Sequence, residues 1–406
     1  MTGSADITLG FMPLFDSAVL VAAVEKGFVR DEGLNVRLVR ETSWANIRDR
    51  IAVGHFQAAH MLAPMPIASN LGLTPLSLRL VVPFALGLGG NAVTVSTDVW
   101  QAMLDAGAGH SIDPVVNGAA LARVVAARKV AGRPALRFAV VHPFSGHNYE
   151  LRYWLAGCGI DPENDVEIVV VPPPLMPDAI ATGSIDGFCV GEPWSSVAVG
   201  RGVGRIATVK AAIWRLSPEK VLGVSERFAM ENRDALDALL RALFHASRWC
   251  GEADNHGELA GLLASRDYLG VPEDLLRPIL EGRLALGAGD GEDIPEFFVP
   301  NAKGATFPWQ SHALWFYSQM VRWGHAVHSG RNAGIARDTY RPDIYRQALK
   351  PVGAAMPGAN MKVEGALTAP SPVGASLGGL ILGPDGFFDG RIFDPDRLDD
   401  YLAAQA

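Results

Sequence analysis

Two distant stretches of this chain repeat the order strand, tight polar turn, helix, and that repetition narrows the folds open to it. The first is VRLVRETSWANIRDRIAVGHFQAAHMLAPMP, residues 36–66, and the second is RFAVVHPFSGHNYELRYWLAGCGID, residues 137–161. In each, an apolar, β-branched strand ends in small polar residues and an amphipathic helix starts at once. A helix N-terminus leaves backbone N–H groups without partners and carries partial positive charge, so each turn is a candidate anion site. Two such turns far apart in sequence point to two α/β lobes closing on one small anionic ligand, which is an architecture for binding rather than catalysis.

The rest of the chain fits that plan. Strand patterns at Ile7–Met12, Asn35–Arg40 and Phe56–Met61 alternate with helical ones, and Ser43 is placed to cap a helix over Trp44–Val53. Pro64 and Pro66 read as a break, and Asn91–Ser96, after the loose glycines Gly87, Gly89 and Gly90, reads as a strand crossing between lobes. These glycines lack the GxGxxG spacing of a dinucleotide site. A helical stretch over Val99–Val130 leads to the strand Arg137–Val141, a turn His142–Asn148, the helix Tyr149–Ala156 and the apolar strand Val166–Val171. After a short helix at Met176–Thr182 and a strand at Gly187–Val190, Ile206–Val209 and Val221–Ser225 read as the return crossing, and Arg233–Gly251 as a long helix of the first lobe. Paired crossings let both linkers flex together. Phe307–Trp323 reads as an aromatic core helix, Pro351–Ala375 as a surface tail, and Phe387–Phe393 as a hairpin turning at Asp389-Gly390. The expected division is residues 1–92 for the first part of lobe I, 93–210 for lobe II, 211–350 for the return to lobe I, and 351–406 for a C-terminal extension over the surface.

Composition excludes several classes. A net charge of −8, with no block of Lys and Arg, argues against a nucleic-acid or anionic-membrane surface. The three cysteines, Cys158, Cys189 and Cys250, are too few and too scattered for a disulfide framework or metal cluster and read as buried thiols of a reducing compartment. No apolar run reaches the roughly 18 residues of a membrane span. Met1 is followed almost directly by strand residues, without a charged n-region or apolar h-region, so the expected location is the cytoplasm.

Five residues stand out as candidate ligand contacts or their neighbours. Trp44 opens the first helix, where its indole N–H could donate to an anion or its ring could pack. His147, between Gly146 and Asn148, is equally placed to cap the second helix or to touch ligand. Lys220 precedes a crossing strand and reads as a ligand cation or a surface charge. Asn91 could turn its amide into the cleft at the other crossing, and Glu192 in GEPW would orient a cation or a donor rather than meet an anion. Catalytic signatures are missing: there is no GxSxG, HExxH, CxxC or P-loop, and His55 and His60 are poorly spaced for metal. No cofactor is expected.

With these residues in view, the chain resembles the nitrate- and bicarbonate-binding proteins of ABC transporters and their cytosolic regulatory relatives. The resemblance is carried in collinear order by GFMPLFDSAVLVAAVEKGF, SWANIRDRIAVGHFQAAHMLAPMP, HNYELRYWLAGCGIDPENDVEIVVVPPP, DGFCVGEPW, PEKVLGVSERFA and FPWQSHALWFYSQMVRWG. It implies a two-lobed, type II periplasmic-binding-protein-like α/β fold with two crossover strands. It also implies an anion held by a Trp, an amide, a His and a Lys, which fall on Trp44, Asn91, His147 and Lys220. The transport proteins usually carry Gln at the Asn91 position, so a shorter amide here implies altered selectivity or a bridging water. The cytosolic branch implies a nitrate/nitrite sensor that holds an RNA-binding transcription antiterminator in check until the anion binds. The alternative is an exported nitrate-binding transport component, with a bicarbonate-binding version or an enzyme like the related thiamine-pyrimidine synthases further behind.

Overall fold

The computed structural model describes residues 5–76, 78–376 and 378–405, so Met1 and the reading of a native start lie outside the described residues. Ten strands build its two main sheets: β1 (Ala5–Phe11), β2 (Leu34–Arg40), β3 (Ala58–Leu62), β4 (Leu80–Ala85), β5 (Asn91–Ser96), β6 (Leu136–Val140), β7 (Val166–Val170), β8 (Gly187–Gly191), β9 (Gly204–Val209) and β10 (Lys220–Ser225). The first sheet runs β2-β1-β3-β10-β4 and the second β9-β5-β8-β6-β7. The two share one plan. In each, three parallel strands (β2-β1-β3 and β7-β6-β8) are joined by one antiparallel strand that has just arrived from the other sheet, β10 in the first and β5 in the second. The central strands β3 and β8 are buried along their whole length, as strands covered on both faces must be.

The chain passes between the sheets twice, through residues 86–90 and 210–219. Asn91 and Lys220 are therefore the first strand residues after the two crossings. At the carboxyl ends of parallel strands, where α/β folds bind ligands, two helices begin: α1 (Trp44–Ala52) after β2 and α2 (Gly146–Gly157) after β6. Both start on a serine. Ser43 Oγ accepts the Asn46 N–H at 3.2 Å and Ser145 Oγ accepts the Asn148 N–H at 3.0 Å. Each cap satisfies one free donor and leaves the rest of the first turn facing the cleft. α3 (Arg233–Gly251) packs on the helix Ala18–Glu25 of the first lobe.

Several elements differ from the sequence expectations for physical reasons. His147 lies inside the first turn of α2, because capping begins at Ser145 rather than after Asn148. The stretch expected as one helix over Val99–Val130 is two, Thr97–Asp105 and Pro114–Val130, separated where Gly107 adopts φ 90° and Asp113 caps the second. Pro64 starts a helix, Pro64–Asn70, instead of breaking one, since a first-turn proline has no N–H to lose. Strand β4 tolerates Pro83 because it lies at the sheet edge. Phe387–Phe393 is not a hairpin: Phe387 bridges to Trp214 and Phe393 to Glu364, so each end pairs with a different segment.

The aromatic helix, α4 (Gln310–Arg322), is largely buried. The Trp315 ring lies 4.5 Å from Trp214, tilted by 46°, and Trp214 stacks at 4.6 Å on Phe387 of the C-terminal tail. The tail is also tied by charge. Buried Glu364 accepts the Ser311 hydroxyl at 2.6 Å and pairs with Lys362, which reaches Asp385 at 2.7 Å. Glu364→Ala strips this buried cluster of its central carboxylate and is expected to cost about 3 kcal/mol of stability in urea unfolding, whereas an unchanged midpoint would show that the tail does not depend on it.

Candidate functional site

All four candidate ligand residues are brought to one buried centre between the sheets: Trp44 and Lys220 are each 1 % exposed, and Asn91 and His147 are 0 % exposed. The Lys220 ammonium lies 5.7 Å from the centre of the Trp44 ring. It pairs with Asp16 Oδ2 and Glu219 Oε1, each at 2.8 Å. Glu219 Oε1 is in turn 3.4 Å from His147 Nδ1. Asn91 faces Gly191 across the β5–β8 ladder, and a methyl group added to Gly191 would meet Asn91 Oδ1 at 3.2 Å and Asp16 Oδ2 at 3.4 Å. Asp16 thus pairs with Lys220 close to the Asn91 side chain, and Glu219 links Lys220 to His147.

Sequence reading missed the groups that surround these four. Asp16 sits in the short helical turn Phe15–Ser17 after β1, and no motif in the sequence marks it. His60 of β3 accepts the Met12 N–H on Nδ1 at 3.4 Å, so its proton is on Nε2, which stands 3.0 Å from Asp16 Oδ1. The His60 ring also meets Trp44 edge-on at 5.4 Å and fixes the indole. On the other side, Lys210 pairs with Glu219 Oε2 at 2.5 Å and with Glu150 Oε1 of α2 at 2.6 Å. Gly146, next to His147, has no room for a side chain, since its Cβ would fall 2.3 Å from Glu219 Oε2. The one available signal was the adjacency of Glu219 and Lys220 ahead of an apolar strand. Glu192 turns to the helix that follows it, Trp194–Gly200, where its carboxylate accepts the Ser196 N–H at 3.1 Å.

Protonation follows from burial and pairing. Burial alone would raise Asp16, yet Lys220 and the His60 N–H hold it below the ordinary carboxylate range. Burial would likewise lower Lys220, but Asp16 and Glu219 more than offset this and keep it charged. Glu219, which burial alone would raise, is held well below the usual value by His147, Lys210 and Lys220. Glu150, with less compensation, is pushed by burial up to about 8, and Glu192 by the same cause up to about 7. Burial and the nearby lysines pull His147 down to about 3, so it is neutral at pH 7.

The chemistry of the centre is that of an anion clamp. Trp44 Nε1, the Asn91 amide and both His147 nitrogens are buried and have no hydrogen-bond partner among the described residues. Buried polar groups are ordinarily paired. Of the three Lys220 N–H bonds, two are directed to carboxylates and one remains for a ligand. Among the described residues, no group of three or more His, Cys, Asp or Glu side chains is arranged to hold a metal ion.

Two lobes, paired crossings and a buried donor set at their junction define a two-lobed ligand-binding protein of the periplasmic-binding-protein fold. The chain belongs to the NMT1-like family, whose pattern matches residues 2–264. It is 32% identical to the nitrate/nitrite binding protein NrtA of Synechococcus elongatus, over 98% of this chain and 85% of that protein. It is 29% identical to the bicarbonate-binding protein CmpA of a Synechococcus species, again over 98% of this chain and 85% of the relative. The crystal structure of the periplasmic nitrate-binding protein NrtA from Synechocystis superposes with a TM-score of 0.86 at 26% identity, covering 99% of both chains.

The neutral, buried His147 gives a stability signature. In the unfolded chain its pKa returns to about 6.5, so below that pH the unfolded state binds a proton that the folded state refuses until near pH 3. Stability from this group therefore falls as pH falls. Relative to His147→Gln, the anion-free wild type is expected to lose about 2 kcal/mol between pH 7 and pH 5. Urea midpoints of both proteins at the two pH values check this, and a constant difference would contradict it.

Proposed function

We propose that this protein binds nitrate or nitrite between its lobes and acts as a cytosolic sensor. In this reading the anion-free form sequesters an RNA-binding transcription antiterminator, and closure on the anion releases it. The observation that carries the anion reading is the convergence of buried, unpartnered N–H donors from Trp44, Asn91 and His147 on the single free N–H of Lys220. Nitrate is planar and monovalent, with three acceptor oxygens and no donor, so a pocket of donors around one ammonium suits it. Bicarbonate adds an O–H that needs an acceptor. Unpartnered Asn91 Oδ1 and the unprotonated nitrogen of neutral His147 can take that hydrogen, so bicarbonate is one arm of the titration below.

The sensor reading is supported by the resemblance to cytosolic regulatory relatives and by the cysteines. Cys158, Cys189 and Cys250 are all free thiols, and the last two are buried. Asn91 and Lys220 adjoin the two crossings, so an anion that holds both biases the hinge itself, and through it any surface that differs between open and closed forms. A second reading, an exported nitrate-binding component of an ABC importer, is favoured by the end-to-end similarity to periplasmic NrtA.

Calorimetric titration of nitrate, nitrite and bicarbonate tests the anion reading. Nitrate or nitrite is expected to bind, and Lys220→Met to weaken the binding at least a hundredfold, about 2.7 kcal/mol. Binding of neither anion at millimolar concentration would overturn it. Co-precipitation of an antiterminator from cytosol without nitrate, and its loss with nitrate, supports the sensor. Recovery of the native gene product in the periplasm supports the importer instead.

A further inference from the structure

The ion pairs of the centre can be counted. Asp16 and Glu219 carry two negative charges, Lys210 and Lys220 two positive ones, and Glu150 holds its proton at neutral pH, so the cluster is neutral before a ligand arrives. A monovalent anion brought into this closed volume leaves one uncompensated negative charge, which a buried site tolerates poorly. One basic group there is uncharged and has both of its nitrogens free: His147. Its Nδ1 lies 3.4 Å from Glu219 Oε1, near enough to donate once protonated. Gly146 lets that carboxylate press against the start of α2, which fixes its position beside the ring.

We infer that anion binding is accompanied by uptake of one proton from solvent onto His147, with Glu219 as the positioning residue that receives its Nδ1–H while Nε2–H turns to the anion. This rests on the reading that the cleft takes a monovalent anion. The groups facing His147 are Asp16 from the turn after β1, Glu150 on its own helix, Lys210 and Glu219 on the second crossing, and Lys220 at the start of β10. Glu192 closes β8 one residue beyond Gly191, and His60 lies behind Asp16. A full negative charge at hydrogen-bond distance raises the proton affinity of an imidazole about a thousandfold at a protein-like dielectric. From its starting value near 3, His147 then titrates near pH 6 in the complex. Glu150 and Glu192 already hold their protons at that pH, and Asp16 and Glu219 stay ionised, so uptake in this window reports His147.

Nitrate, itself unprotonated throughout, is titrated calorimetrically into the full chain at pH 5.5 in buffers of differing ionisation enthalpy. The slope of observed heat against buffer enthalpy counts protons. The wild type is expected to take up more than half a proton. His147→Gln is expected to bind more weakly with a slope near zero. Glu219→Gln, which leaves the cluster one charge more positive, is expected to bind nitrate with little proton uptake. A wild-type slope of zero with nitrate bound would overturn the inference alone, as would an unchanged slope in His147→Gln. Absence of any nitrate or nitrite binding would overturn the functional reading and this inference with it. The wild-type slope decides the matter even if either variant fails to fold.

Discussion

A buried chain of alternating charges, Asp16–Lys220–Glu219–Lys210, ends on the protonated carboxyl of Glu150 and runs from the first lobe across the second crossing into the first turns of α2. Five ionisable groups enclosed together are costly to desolvate, and only their mutual pairing makes the closed arrangement tenable. Much else is arranged around that chain. Gly146 is bare because the Glu219 carboxylate presses on it. His60 is locked in one tautomer to support Asp16. Lys220, shared between two carboxylates, keeps its charge and one free N–H for a ligand.

The same chain spans both lobes and the second crossing. Lys210 and Glu219 lie on one crossing, Asn91 follows the other, and Glu150 and His147 share a helix of the second lobe. Opening the cleft would return these ions to water and relax their desolvation, so the closed form is held only by good pairing and by what the ligand adds. A small anion can therefore shift a two-lobe equilibrium because its contacts exist only when both lobes present them.

The parts of this fold governed by local rules were legible in the sequence. Ser43 announced α1, the apolar runs announced β6 through β8, and two strand–turn–helix units implied two lobes. The family resemblance named Trp44, Asn91, His147 and Lys220, and the structure gathers these residues at one centre. What could not be read was the supporting shell. Asp16, His60, Glu150, Lys210 and Glu219 are neighbours only through the tertiary fold, and a charged pair such as Glu219-Lys220 looks from sequence like a solvated turn. β4 was hidden because a proline argues against a strand unless its edge position is known. The expected hairpin at Phe387–Phe393 failed similarly, because its ends found partners in segments remote in sequence.

The most direct measurement is a crystal structure of the protein grown with nitrate or nitrite. The expected result is one anion between the lobes, within hydrogen-bond distance of Trp44 Nε1, the Asn91 amide, His147 Nε2 and Lys220 Nζ, with Glu219 against His147 Nδ1. An anion seated elsewhere, or a closed cleft in which these donors remain unpaired, would contradict the account at its centre.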